Sequence, residues 1–310
     1  VAHQELKDKV VVITGASSGF GKGAAVQFAS EGAKLVLGAR RADLLEEVAA
    51  ECRSAGAEAI AIPTDVSRRE DVERLAAAAL SSFGRIDVWV NNAGVGAVGA
   101  FERIPIEVHE QLIATNLLGV LYGSHLAYRQ FLTQGTGVLI NIASELGFGS
   151  VPYFSSYAAA KHGVVGLSDS LRQEVKQNGL DGIHICTIMP TAHDTPFFEH
   201  AANYSDHEIV PPKPLHDPQH VVDTIVRVAR KPEDKEIVGA DGVVKLIAAN
   251  VMPAISEKMG AKQMHKTIED APPGNDSPGS VFEPMREGTE VRAESRRKHS
   301  EEREREEQRS

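Results

Sequence analysis

The stretch Val10-Val11-Val12-Ile13-Thr14-Gly15-Ala16-Ser17-Ser18-Gly19-Phe20-Gly21 decides the fold. A β-branched apolar run ends in a glycine-rich turn, and a helical pattern begins directly after it. A continuous Val/Ile run without polar alternation describes a strand buried on both faces, as in parallel sheets. Strand, turn and helix start together make an anion site. Backbone N–H groups and the positive helix end face the anion, and glycine lets the backbone come close. The spacing is Gly15-x-x-x-Gly19-x-Gly21 rather than the commoner Gly-x-Gly-x-x-Gly. The segment reads as a cradle for a dinucleotide pyrophosphate, with a plain tight turn as the alternative.

Outward from this unit the same rhythm repeats. Apolar runs at 9–14, 33–38, 58–62, 86–91, 137–143 and 182–188, with a shorter one at 236–238, alternate with helical stretches near 20–31, 42–55, 68–83, 106–133, 155–178 and 217–230. That alternation predicts an α/β fold, a Rossmann-type doubly wound parallel sheet with ligands at the carboxyl ends of its strands. Residues 1–240 are expected to form a single dinucleotide-binding and catalytic domain. Residues 241–285 form a C-terminal extension. Its apolar stretch 243–259 is expected to pack on the sheet or at a subunit contact; a surface-lying membrane helix and a substrate-site cover are the alternatives. Residues 286–310 carry eight basic and eight acidic residues and almost nothing to bury. A disordered charged tail, dispensable for folding and chemistry, is expected there.

The 310 residues are 42% hydrophobic and 25% charged, ordinary values for a soluble globular chain. The net charge of −10 argues against nucleic acid and anionic lipid as partners, while leaving room for a local basic pocket. Cys52 and Cys186 have no metal-motif neighbours and read as reduced, structural thiols of a cytoplasmic protein. The polar stretch 1–9 is neither a signal peptide nor a membrane span.

The second strand tests the choice of dinucleotide. A carboxylate about 20 positions after the glycines would hold the ribose 2′-hydroxyl of NAD, whereas an Arg suits the 2′-phosphate of NADP. Here the strand ends in Ala39-Arg40-Arg41, with no carboxylate before Asp43. An Arg fork matches phosphate geometry, so NADP (NADPH) is expected, with a surface strand cap as the alternative for the arginines. Asp65, followed by Val66, sits where it could bond the adenine amino group or cap the next helix.

The fifth strand ends in Asn141-Ile142-Ala143-Ser144, and Tyr157-x-x-x-Lys161 follows. Positions i and i+4 share a helix face, so phenol and ammonium converge on one ligand. A nearby ammonium favours the phenolate, which predicts a Tyr157 pKa below its ordinary value and readiness to exchange a proton with an alcohol or ketone oxygen. Tyr153 has Tyr157, not Lys, at i+4 and is rejected for this role.

Over roughly residues 6–240 the chain closely resembles the short-chain dehydrogenase/reductases. The resemblance rests on the loop from Thr14 to Gly21, on Asn91-Asn92-Ala93-Gly94, on Asn116, Ser144, Tyr157 and Lys161 in order, and on Pro190 and Thr195. It implies hydride transfer between NADP(H) and a carbonyl or secondary alcohol. Tyr157 would be the general acid/base, Ser144 a hydrogen-bond partner of the reacting oxygen, and Lys161 the holder of the nicotinamide ribose. Asn116 would anchor a relay water. It further implies cofactor contacts from Gly15, Ser17, Ser18, Gly19, Phe20, Gly21, Asn92, Ala93, Gly94, Pro190 and Thr195. Assembly as a homodimer or homotetramer through the 106–133 and 155–178 helices is implied too. One departure is Thr191, where the family usually has glycine after the proline; a β-branched residue there puts the local loop conformation in question. Apolar walls from 95–101, 145–154 and 191–216, including Phe148, Phe154, Phe197 and Phe198, predict a hydrophobic substrate, with His193 and Tyr204 as candidate polar contacts. A catalytically silent NADP-sensing protein on the same fold, and a scaffold whose tail recruits a partner, are the competing functions.

Overall fold

The computed structural model describes residues 5–239, 242, 246 and 253–293. The central apolar runs become strands whose residues are nearly all buried, while the edge runs at Ala59–Pro63 and Lys235–Val238 are only partly buried. In chain order the elements are β1 (Val10–Thr14), α1 (Gly19–Ser30), β2 (Lys34–Ala39), α2 (Ala42–Ser54), β3 (Ala59–Pro63), α3 (Arg69–Phe83) and β4 (Val88–Asn91). There follow β5 (Ala97–Gly99), α4 (Ile106–Ile113), α5 (Gly119–Gln134), β6 (Gly137–Ile142), α6 (Ser155–Gln177) and β7 (Ile183–Pro190). The last are α7 (Phe197–His200), β8 (Ala202–Tyr204), α8 (Gln219–Arg230), β9 (Lys235–Val238) and α9 (Pro253–Glu269).

Seven strands pair in parallel in the order β3-β2-β1-β4-β6-β7-β9. The order reverses between β1 and β4, which opens a crevice at their carboxyl ends. Alternate residues of β1 face opposite sides. Val11 and Ile13 pack with Phe28 of α1, Leu45 of α2 and Ile225 of α8. Val10 and Val12 pack with Leu75 of α3, Phe131 of α5 and Leu139 of β6. Each such buried side chain contributes about 1.5–3 kcal/mol relative to exposure.

Three features depart from the sequence expectation. The predicted 106–133 helix is continuous in direction but contains a π turn over Ala114–Leu118, which carries Asn116. Such widened turns often mark functional sites. The three-residue strands β5 and β8 pair with each other in a small separate sheet. Finally, residues 270–293 run back across the carboxyl edge of the main sheet. Asn203 and Ser277 exchange backbone hydrogen bonds of 2.8 and 2.9 Å, and Val281 is fully buried beside Val95, Ile104 and Leu112. Residues 286–293 stay on the body, where Gly19 N donates to Glu290 O at 3.0 Å and Ala293 N to Asp194 O at 3.3 Å. The rest of the expected tail, 294–310, and most of 243–252 lie outside the described residues. Among the described residues no helix is long and apolar enough to cross a membrane.

Candidate active site

The loop after β1 is held open by its neighbours. Gly15 has φ +66°, and a Cβ on it would lie 2.7 Å from Ala93 Cα. Asn92 Nδ2 donates to Thr14 O at 3.0 Å and to Gly15 O at 3.1 Å. Thr14 Oγ1 accepts from the N–H groups of Asn92 (3.0 Å) and Ala93 (3.2 Å). The glycine turn is thereby clipped to Asn92–Ala93, and Gly21 fits under Gly15 O where any side chain would collide. Ser17, Ser18, Gly19 and Phe20 line a cavity of about 710 Å³. The turn, the α1 start and this opening fit a dinucleotide pyrophosphate.

Arg40 and Arg41 also line the cavity. Arg41 Nη2 donates to Ser17 Oγ at 3.2 Å, so the arginines and the loop form one polar cluster. Their other donors go to backbone oxygens of residues 280–287, a partner the sequence did not disclose. Asp65 and Val66 lie on the same wall. Asp65 Oδ1 accepts from Ser67 N (3.0 Å) and Ser67 Oγ (2.7 Å), closing a turn ahead of α3, and it does not cap that helix, whose N-cap is Arg68.

Deeper in the cavity, β6 delivers Ser144 and α6 delivers Tyr157 and Lys161. Ser144 and Tyr157 are hydrogen-bonded through their side chains. Ser144 Oγ also accepts from Leu146 N at 3.2 Å, which fixes its direction. Lys161 is 4% exposed, and its Nζ donates to Ile142 O at 2.8 Å. That Nζ lies 5.5 Å from the Tyr157 ring centroid. The expectation that the ammonium draws the phenol down is overturned. Burial pushes Tyr157 up to about 12 and outweighs the Ser144 hydrogen bond, which favours the phenolate. Burial also lowers Lys161 to about 8. Both effects have one cause, since a low-dielectric pocket disfavours whichever form is charged.

Asn116 is fully buried and clamps one residue. Its Oδ1 accepts from Val95 N (2.9 Å) and its Nδ2 donates to Val95 O (2.8 Å). Gly94 lies between Asn116 and Lys161, and a Cβ there would come 3.2 Å from Asn116 Oδ1 and 3.9 Å from Lys161 Nζ. Pro190 closes β7, and buried Thr195 follows it on the cavity wall. Thr191 does not adopt positive φ. Its N–H donates to Val238 O at 2.9 Å, and Gly239 and Gly242 leave space for its side chain. The loop therefore tolerates a β-branched residue because its neighbours lack side chains.

Sequence reading missed a buried polar network behind the site. Trp89 Nε1 donates to Asn91 Oδ1 (2.7 Å), and Asn91 Nδ2 to Asn141 Oδ1 (2.8 Å) and Ser124 Oγ (3.1 Å). Asn141 Nδ2 donates to Ser168 Oγ at 3.0 Å. These bonds tie β4 and β6 to α5 and α6, fixing the helices that carry Asn116, Tyr157 and Lys161. Only asparagines facing each other across strands could have signalled it, and that pairing is invisible before the register is known.

The outer half of the cavity is apolar, with Phe148, Phe154, Phe197, Phe198 and Pro212 on its walls. Helix α9 adds Met259 and Met264, so part of the 243–259 stretch covers this half. Tyr153 Oη and His265 Nδ1 are 2.7 Å apart, pinning α9 and accounting for the Tyr153 hydroxyl. His193 lines the cavity, whereas Tyr204 is not among its lining residues.

The geometry defines a class: an enzyme fold with a dinucleotide cradle beside a buried Ser-Tyr-Lys cluster. A family model described as short chain dehydrogenase matches residues 9–205. An uncharacterized oxidoreductase of Bacillus subtilis is 33% identical over 274 residues, covering 88% of this chain and 77% of that protein. A 3beta-hydroxysteroid dehydrogenase of Eggerthella lenta is 37% identical over 208 residues, 66% of this chain and 78% of that protein. The X-ray structure of an alcohol dehydrogenase from the archaeon Thermococcus sibiricus, complexed with 5-hydroxy-NADP, superposes with TM-score 0.64 at 30% identity. That match covers 75% of this chain and 95% of the other. The chain belongs to the short-chain dehydrogenase/reductase family and is an oxidoreductase using a nicotinamide cofactor.

Proposed function

We propose that the protein interconverts a hydrophobic ketone or aldehyde and its alcohol with NADP(H), Tyr157 being the proton donor in reduction and acceptor in oxidation. The observation that carries this reading is the meeting of Ser144, Tyr157 and Lys161 in the same cavity as the 15–20 loop and Arg40. When bound, the cofactor supplies the hydride that reduces the carbonyl carbon. Ser144 Oγ, oriented by Leu146 N, holds the carbonyl oxygen against Tyr157. Tyr157, pushed up to about 12, keeps its proton at neutral pH and delivers it from Oη to the forming alkoxide. Lys161 brings positive charge toward the resulting phenolate and the nicotinamide ribose. The Asn116 side chain is spent on Val95, so a water relay from this residue would use its backbone in the widened turn. Phe148, Phe154, Phe197 and the α9 methionines exclude water and favour an apolar substrate body. The steroid named for the Eggerthella relative and the NADP analogue in the Thermococcus structure accord with this reading. Assembly as a homodimer or homotetramer belongs to the same proposal.

The test is paired steady-state kinetics with NADPH and NADH on a panel of hydrophobic ketones. A 2′-phosphate on the Arg40–Arg41 fork gains charge-assisted bonds of about 1.5–3 kcal/mol each, roughly tenfold or more in affinity per bond. NADPH should be preferred in kcat/KM, and Ala39→Asp with Arg40→Ala should erase or reverse the preference. Equal use of both cofactors by the wild type, or an unchanged ratio in the variant, removes the phosphate role of Arg40.

A further inference from the structure

Residues 280–293 contact the cofactor groove at the groups that should hold phosphate. Gly19 N, at the start of α1, donates to Glu290 O at 3.0 Å. Lys22 Nζ reaches Thr289 O at 3.4 Å and the Glu290 carboxylate at 3.1 Å. Arg40 donates to the carbonyls of Ser280 (2.6 Å), Val281 (3.3 Å) and Phe282 (3.2 Å). Arg41 donates to those of Met285 (3.1 Å) and Glu287 (3.2 Å). The segment thus lays oxygen atoms along the path from the 2′-phosphate fork to the pyrophosphate cradle, and adds one carboxylate at a helix N-terminus where negative charge is favoured. A donor that holds a chain oxygen is not available to a phosphate.

We propose that residues 280–293 are a built-in strap that occupies the phosphate-bearing half of the groove and that NADP(H) displaces on binding; this rests on the cofactor reading above. The strap is anchored at its start by buried Val281, and its far end is closed by the Arg292–Asp217 ion pair and the Ala293 N to Asp194 O bond, which release when it opens. Between them most residues are exposed, so hydrogen bonds rather than apolar burial hold it. Segments held in this way open locally at low cost. Phosphate oxygens form stronger bonds to a guanidinium than neutral carbonyls do, which favours exchange once the cofactor arrives. The observed affinity for cofactor is then reduced by the fraction of time the strap is open. The arrangement is an intrachain competitor, and anything that draws the C-terminal segment away would activate binding.

The test compares NADP⁺ binding by calorimetry in the full chain, in a chain lacking 286–310, and in Gly288→Ala. The truncation keeps Val281. The substitution places a Cβ against His200 Nε2 and 2.9 Å from Pro196 Cβ, at φ +66°, so it dislodges the strap without removing residues. Both changes should tighten NADP⁺ binding by about tenfold, a strap shut about nine-tenths of the time. In the full chain, saturating NADP⁺ should also remove hydrogen-exchange protection from the Ala293 amide. Equal affinity in all three proteins overturns the strap and leaves the cofactor reading standing. Weaker binding in the altered chains overturns it in favour of a clamp that closes over bound cofactor, as does protection that persists at saturation. NADP⁺ binding by none of the three overturns both readings.

Discussion

Lys161→Met separates the cost of burying a charge from the benefit of using it. Lys161 lies 4% exposed and is lowered from its ordinary 10.5 to about 8 by burial. At about 1.36 kcal/mol per pH step, that fall represents about 3 kcal/mol spent on holding the ammonium inside the protein. The folded value lies below the unfolded one, so between about pH 8 and 10.5 the unfolded chain binds the extra proton, and stability from this group rises with pH. Below about pH 8 the whole cost is present. Methionine keeps an apolar stem without the charge, but it leaves Ile142 O without its 2.8 Å donor, a loss of about 1 kcal/mol at any pH. The variant should therefore be more stable than wild type by about 2 kcal/mol at pH 7. At pH 10, where only about 1 kcal/mol of the charge cost remains, the two should be nearly equal. Urea unfolding of both proteins at the two pH values, without cofactor, measures this. A stability difference independent of pH, or a variant less stable at pH 7, would refute the claim that Lys161 is a buried cation held at a cost.

The same values bear on rate. Carbonyl reduction should fall as pH rises through about 8, where Lys161 loses its proton, while Tyr157, at about 12, stays protonated; a kcat/KM profile flat to pH 10 would count against the Lys161 role. Gly15→Ala should cost at least about 2 kcal/mol, because φ +66° is strained for alanine and the new Cβ sits 2.7 Å from a backbone atom. Its melting temperature and NADP⁺ affinity should both drop, and an unchanged thermal transition would show that the loop is not clipped to Ala93.

Much of this architecture is legible in the sequence because it is periodic. The Val/Ile runs and the helices between them fall within a few residues of their observed ends, since burial on both faces of a parallel sheet leaves a continuous apolar signature. Ser144, Tyr157 and Lys161 are legible for a similar reason, as a strand end followed by an i, i+4 pair. Other features leave no such mark. Strands β5 and β8 are three residues long, too short for a period to develop. The π turn at Asn116 depends on backbone packing inside an otherwise helical pattern. The direction of the Tyr157 shift is not legible, because sequence shows the i+4 ammonium but not the burial of the phenol. The strap is the clearest case. Arg40 and Arg41 are legible as an anion fork, but the oxygens they hold belong to the main chain, which every residue carries, so composition at 280–293 gives no sign of it.

The central claim is that Tyr157 moves the proton, and Tyr157→Phe tests it most directly. Phenylalanine keeps the ring that packs 5.4 Å from Phe197 and 6.3 Å from Phe154 and removes only the hydroxyl hydrogen-bonded to Ser144. General acid catalysis by one group contributes roughly 10²–10⁴ in rate. NADPH oxidation with the best ketone of the panel should therefore fall at least about a hundredfold, with NADP⁺ affinity by calorimetry within about threefold of wild type. Turnover near the wild-type rate, with cofactor still bound, would contradict the account.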